Sequence, residues 1–141
     1  MHEGPQSISA RYGNTQGIHE GMICSNEPGY YENGGFGIRI ENLLVVKKQP
    51  TPNAFNSKAY LGFEQLTHIP IQASLIEPSL LSAKEVAWLD AYHTRVWEKI
   101  SPRLAPDDEG YAWLKEATRP LAEQLGVPLP VGAGVAAAAA A

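Results

Sequence analysis

Phe36-Gly37-Ile38-Arg39-Ile40-Glu41-Asn42-Leu43-Leu44-Val45-Val46 is the most strand-like run in the sequence. Apolar residues fill it, Lys47-Lys48-Gln49-Pro50 closes it, and Asn33-Gly34-Gly35 ahead of it is a turn signal. Side chains alternate across a strand, so Arg39, Glu41 and Leu43 share one face, with Ile38, Ile40, Asn42 and Leu44 on the other. A strand this apolar is expected to lie centrally, covered on both sides. An unpaired carboxylate in such a place is costly, so Glu41 requires a cation: Arg39, another base or a metal ion.

Upstream, Met22-Ile23-Cys24-Ser25-Asn26-Glu27 is a short extended run stopped at Pro28-Gly29, because Pro28 has no N–H and biases Glu27 toward extended geometry. A hairpin turning through Tyr30 to Gly35 brings Glu27 and Glu41 near each other. Two carboxylates that converge in an apolar sheet repel unless divalent cations neutralise them. The spacing alone leaves two readings open, a metal site or an ion pair with Arg39.

Beyond the strand the character changes. Residues 1–52 read as β-structure with turns, and 53–72 as a linker carrying a second extended piece, Tyr60 to Ile71. A helical period then begins. Ser82-Ala83-Lys84-Glu85 is a capping-box pattern. Behind it Val86, Leu89, Tyr92 or His93, Val96 and Ile100 recur at three and four residues, an apolar face that must be buried. Pro102 ends this helix, and a shorter one is expected from about Asp107 to Ala117. The expected division is 1–52, a β part; 53–126, an extension of strand and helices; and 127–141, a frayed tail ending in alanines. The fold class is α+β, antiparallel hairpins followed by helices.

Composition narrows the function. With 11 basic and 15 acidic residues the net charge is −4, which offers nucleic acid or an anionic membrane little to hold. No apolar run reaches the ~18 residues of a membrane span, and Met1 to Pro5 lack the marks of a secretory signal, so a cytoplasmic protein is expected. One cysteine, Cys24, allows no internal disulfide and no cysteine-based zinc site. Phosphate loops, nucleophile elbows and the HExxH pair are absent from the sequence. His19, His68 and His93 read as structural histidines, satisfied or exposed.

His2-Glu3-Gly4-Pro5, Gly21-Met22-Ile23, Asn26-Glu27-Pro28-Gly29-Tyr30-Tyr31-Glu32 and Gly35-Phe36-Gly37-Ile38-Arg39-Ile40-Glu41-Asn42, in that order, closely resemble the Xaa-Pro aminopeptidases (aminopeptidase P). These are M24 metallopeptidases of the pita-bread fold. The resemblance continues through Leu61-Gly62-Phe63-Glu64-Gln65-Leu66-Thr67-His68-Ile69-Pro70-Ile71 and Trp88-Leu89-Asp90-Ala91-Tyr92-His93, which look like the C-terminal extension of the longer members.

The resemblance implies that Glu27 and Glu41 are metal ligands, with Glu41 bridging two divalent ions, Mn²⁺ or Zn²⁺. Glu27 would also act as general base, His2 would contact the substrate and steady the tetrahedral intermediate, and Arg39 would fix Glu41. The substrates implied are peptides with proline in second position. The family's site uses five ligands, of which two aspartates and a histidine precede this stretch. Asp90, Asp107 and Asp108 lie in the helical extension and match none of them. The chain therefore reads as a C-terminal portion of such an enzyme, inactive alone, that self-associates or pairs with a segment supplying the rest. The alternative is a non-catalytic binding or oligomerisation module. A prolidase-like dipeptidase fits less well, because the helical extension is foreign to it.

Overall fold

A computed structural model describes residues 4–8 and 13–131. They fall into two compact units, Met1–Thr67 and His68–Ala141. The first is all β among its described residues and the second is helical, so the class is α+β.

The first unit is built on one long hairpin with a break in the middle. Strands β1 (Ile23–Asn26) and β4 (Asn42–Gln49) pair antiparallel, as do β2 (Gly29–Tyr31) and β3 (Gly37–Arg39). Asn26 faces Asn42 on one side of the break and Gly29 faces Arg39 on the other, so the register does not slip between them. The cause of the break is Pro28: its carbonyl accepts from the Ile40 N–H at 3.2 Å, but it has no N–H to return. At the tip the Gly35 N–H closes a turn onto the Glu32 carbonyl, and Gly34, the third residue of that turn, has a positive φ of 71°, a conformation that favours glycine. At the other end Gly21 donates to the Val46 carbonyl while Val46 donates to that of Met22. With φ of 87° at Gly21, this is a bulge that closes the ladder.

Strand β5 (Tyr60–Gln65) pairs antiparallel along the other edge of β4, which makes β4 the centre of a three-stranded sheet, β1-β4-β5. The central position is as expected from the sequence, but the two-sided cover is not found. Val46 is buried, whereas Ile23, Ile38, Ile40, Leu43, Leu61 and Phe63 are exposed, because among the described residues of this unit no helix lies on the sheet. The extended piece also proves to be more than a linker, since its strand is hydrogen-bonded into the sheet of the first unit.

The second unit is organised by α1 (Ala83–Ile100). The Ser82 Oγ accepts from the Glu85 N–H and the Glu85 carboxylate accepts from the Ser82 N–H at 2.8 Å, a complete capping box. Hydrogen bonds from Ser82 hold the Glu85 carboxyl below its usual range. The face Val86, Leu89, Tyr92, His93 and Val96 is buried, as the periodicity requires. Leu89 packs with Ala73 and Leu121, while Tyr92 and Val96 pack with Leu114 of α2 (Glu109–Ala117). A short α3 (Leu121–Leu125) completes the unit. Packing runs past residue 126, because Leu129 joins the Leu89 cluster; residues 132–141 of the expected tail lie outside the described residues. Among the described residues no helix is long and apolar enough to cross a membrane.

Candidate metal centre

Hydrogen-bonded and non-hydrogen-bonded pairs alternate along an antiparallel ladder, and side chains stand closest at the latter. Val46 donates to Met22, Ile40 to Pro28 and Glu32 to Phe36, so the even-numbered positions of the hairpin form the hydrogen-bonded pairs. One step beyond the Asn26–Asn42 pair, Glu27 and Glu41 therefore meet at a non-hydrogen-bonded position. Their side chains share the face that carries Ser25 and Arg39.

The contacts follow from that placement. Arg39 reaches Glu27 Oε2 from Nη1 at 3.6 Å and Glu41 Oε2 from Nε at 3.8 Å. Both distances exceed a good hydrogen bond, and all three side chains keep some solvent access, so each pair contributes only about 0–1 kcal/mol. Two carboxylates against one guanidinium leave one negative charge uncompensated. Directly opposed like charges on a ladder are destabilising, so the arrangement favours a further cation. The second Glu27 oxygen, Oε1, accepts from the Ser25 hydroxyl at 2.7 Å. Ser25 belongs to no motif in the sequence; its place two positions before Glu27 in one extended run, and so on the same face, is the signal that marks it.

Tyr31 also lies on this face. A Cβ at Gly29 would come within 2.6 Å of the Tyr31 hydroxyl, and one at Gly37 within 2.7 Å of its ring, so the two glycines make room for the ring to fold back along the hairpin. His2 lies outside the described residues. The three aspartates are elsewhere: Asp90 accepts from the Leu121 N–H at 2.8 Å, Asp108 caps α2, and Asp107 precedes that cap. Among the described residues no three His, Cys, Asp or Glu side chains gather as a metal site would require. Two opposed carboxylates, hard oxygen donors with an excess of negative charge, fit part of the coordination sphere of a divalent ion but do not complete one.

Comparison with known proteins identifies the setting of this pair. The description "Metallopeptidase family M24" matches residues 1–48, and "C-terminal region of peptidase_M24" matches residues 59–121. The chain belongs to metallopeptidase family M24. Within the family it is 58% identical over 123 residues to Aminopeptidase P2 of Arabidopsis thaliana, covering 87% of this chain and 17% of that protein. It is 51% identical over 123 residues to a probable Xaa-Pro aminopeptidase P of Coprinopsis cinerea, covering 86% of this chain and 20% of that one. A solved X-prolyl aminopeptidase from Caenorhabditis elegans, described as a cytosolic enzyme with a di-nuclear active site, matches with a TM-score of 0.66 at 33% identity. That match covers 84% of this chain and 19% of the nematode chain. The M24 chain thus spans about a fifth of the length of these relatives, and its β-hairpins and helices are the C-terminal part of the pita-bread fold.

Proposed function

We propose that this chain supplies the C-terminal share of the active site of a metal-dependent Xaa-Pro aminopeptidase, which hydrolyses the first peptide bond of substrates with proline in second position. The observation that carries the reading is the Glu27–Glu41 pair opposed across the hairpin, within a chain 58% identical to an aminopeptidase P. Glu27 and Glu41 are the metal ligands, Arg39 steadies Glu41, and His2 contacts the substrate. When bound, two divalent ions, Mn²⁺ or Zn²⁺, supply the Lewis acidity that activates a water and polarises the scissile carbonyl. Glu27, with Oε1 tied to Ser25, offers Oε2 to take the proton from that water.

Two of five ligands do not make a working site, so the chain alone turns over no peptide. The exposed apolar sheet residues support self-association, or pairing with a segment that provides the remaining ligands. Likeness to an enzyme described as cytosolic supports a cytoplasmic location.

The test is a chimera in which this chain replaces the matching stretch of the Arabidopsis aminopeptidase, assayed on Arg-Pro-Pro with Mn²⁺ or Zn²⁺. Activity that Glu27→Ala and Glu41→Ala each abolish supports the reading. A folded chimera without turnover overturns it in favour of a non-catalytic module.

A further inference from the structure

The backbone of Glu41 needs an anchor that the β1–β4 ladder does not give. At a non-hydrogen-bonded pair, the N–H and C=O of Glu41 point away from β1, toward the edge where β5 runs. Its neighbour toward the hairpin tip, Ile40, lies opposite Pro28, where one of two ladder bonds is missing. The pairing of β5 with β4 ends at Leu44–Gln65, three residues short of Glu41. Two contacts extend it. The Leu66 N–H donates to the Leu43 carbonyl at 2.8 Å, and the Leu43 N–H donates to the Thr67 hydroxyl at 2.9 Å.

We propose that Thr67 is a positioning residue for Glu41: its hydroxyl clamps the start of β4 and so keeps the carboxylate opposite Glu27. This rests on the reading of Glu41 as a metal ligand. Leu43 lies on the same face as Glu41, one side-chain repeat away, so both of its backbone groups are fixed where a slip would do most damage. A one-residue slip would turn Glu41 to the opposite face of the sheet. Thr67 acts on Glu41 through the backbone of residues 41–43, by way of the Leu43 N–H that its hydroxyl accepts. The strand that leads to Thr67 falls within residues 59–121, matched by the C-terminal region of the family, whereas Glu41 falls within 1–48. The C-terminal region thereby takes a part in shaping the metal site.

Thr67→Val keeps the shape and removes the acceptor, and Thr67→Ser keeps the acceptor. In this chain, the Leu43 amide is expected to exchange with solvent faster in Thr67→Val than in the parent, and at the parent rate in Thr67→Ser. In the Arabidopsis chimera, Thr67→Val is expected to raise the Mn²⁺ concentration for half-maximal activity by about tenfold, the scale on which residues supporting metal ligands act, with rescue by Thr67→Ser. Unchanged Leu43 exchange in Thr67→Val overturns the clamp, whatever the site does. An active Glu41→Ala chimera overturns the ligand reading and the positioning role with it. Lost Leu43 protection, an inactive Glu41→Ala chimera and an unaltered Mn²⁺ requirement in Thr67→Val overturn the positioning role alone.

Discussion

The Ser25 hydroxyl donates to Oε1 of Glu27 at 2.7 Å, two residues along one face of the hairpin. It orients the carboxylate from behind and leaves Oε2 toward Arg39 and Glu41. Hydrogen bonds to charged groups contribute about 1.5–3 kcal/mol. Ser25→Ala in the active chimera is therefore expected to lower kcat/KM on Arg-Pro-Pro by about tenfold or more, with Ser25→Thr close to the parent. Equal rates for Ser25→Ala and the parent would show that Glu27 is held by other means.

Arg39 spans both glutamates, yet its contacts are long and open to water. Arg39→Met should change the unfolding free energy of the metal-free chain by less than about 1 kcal/mol. Chemical denaturation followed by far-UV circular dichroism measures this. A loss well beyond that figure would make Arg39 a structural ion-pair partner and weaken the case for a cation between the carboxylates.

His93 gives the helical unit a pH dependence. Its ring is buried, and the Ile71 N–H donates to Nε2 at 3.2 Å, which requires the neutral ring with its proton on Nδ1. Burial pushes its pKa below the ordinary 6.5. Between the folded and the unfolded value the unfolded chain holds more protons, so stability falls as pH drops below about 6.5 and levels off once the folded value is passed. Thermal melts from pH 7.5 downward should show this loss, and His93→Gln should flatten it. An unchanged slope in His93→Gln would assign the acid sensitivity to other groups.

Leu121 is fully buried at the start of α3, and its N–H is held by Asp90 from α1. Leu121→Ala is expected to cost about 2–4 kcal/mol, the usual price of a buried leucine cavity. Asp90→Ala, which removes the acceptor of a helix-terminal N–H, is expected to cost about 1–2 kcal/mol. All three tryptophans, Trp88, Trp97 and Trp113, lie in this unit, so urea unfolding followed by their fluorescence reports on it directly.

Much of this architecture is legible in the residues, and the remainder is hidden for definite reasons. Pro28-Gly29 and Asn33-Gly34-Gly35 announce a hairpin, and that hairpin brings the two glutamates face to face. Ser82 and Glu85 mark the start of α1, and the spacing from Val86 to Val96 gives its buried face. His93 stays ambiguous, because a buried and a solvated histidine leave the same mark on a helical repeat; only the Ile71 N–H decides. The contact from Thr67 to Leu43 is non-local and turns on one hydroxyl, which no periodicity records. The apolar content of β4 asks for cover on both faces, but content shows what a strand demands and not what is there to meet it. The ring of Tyr31, seated over Gly29 and Gly37, needed the register before its place could be known.

Strand β5 has a consequence for how such chains can be recombined. Family boundaries suggest a crossover between residues 48 and 59, yet β5 at Tyr60–Gln65 is laced to β4. A hybrid joined in that gap would marry β4, the strand that follows Glu41, from one parent to an edge strand from another, and the two would have to match along six positions, from Leu44–Gln65 to Gln49–Tyr60. A join at Thr67–His68 leaves that sheet with one ancestry.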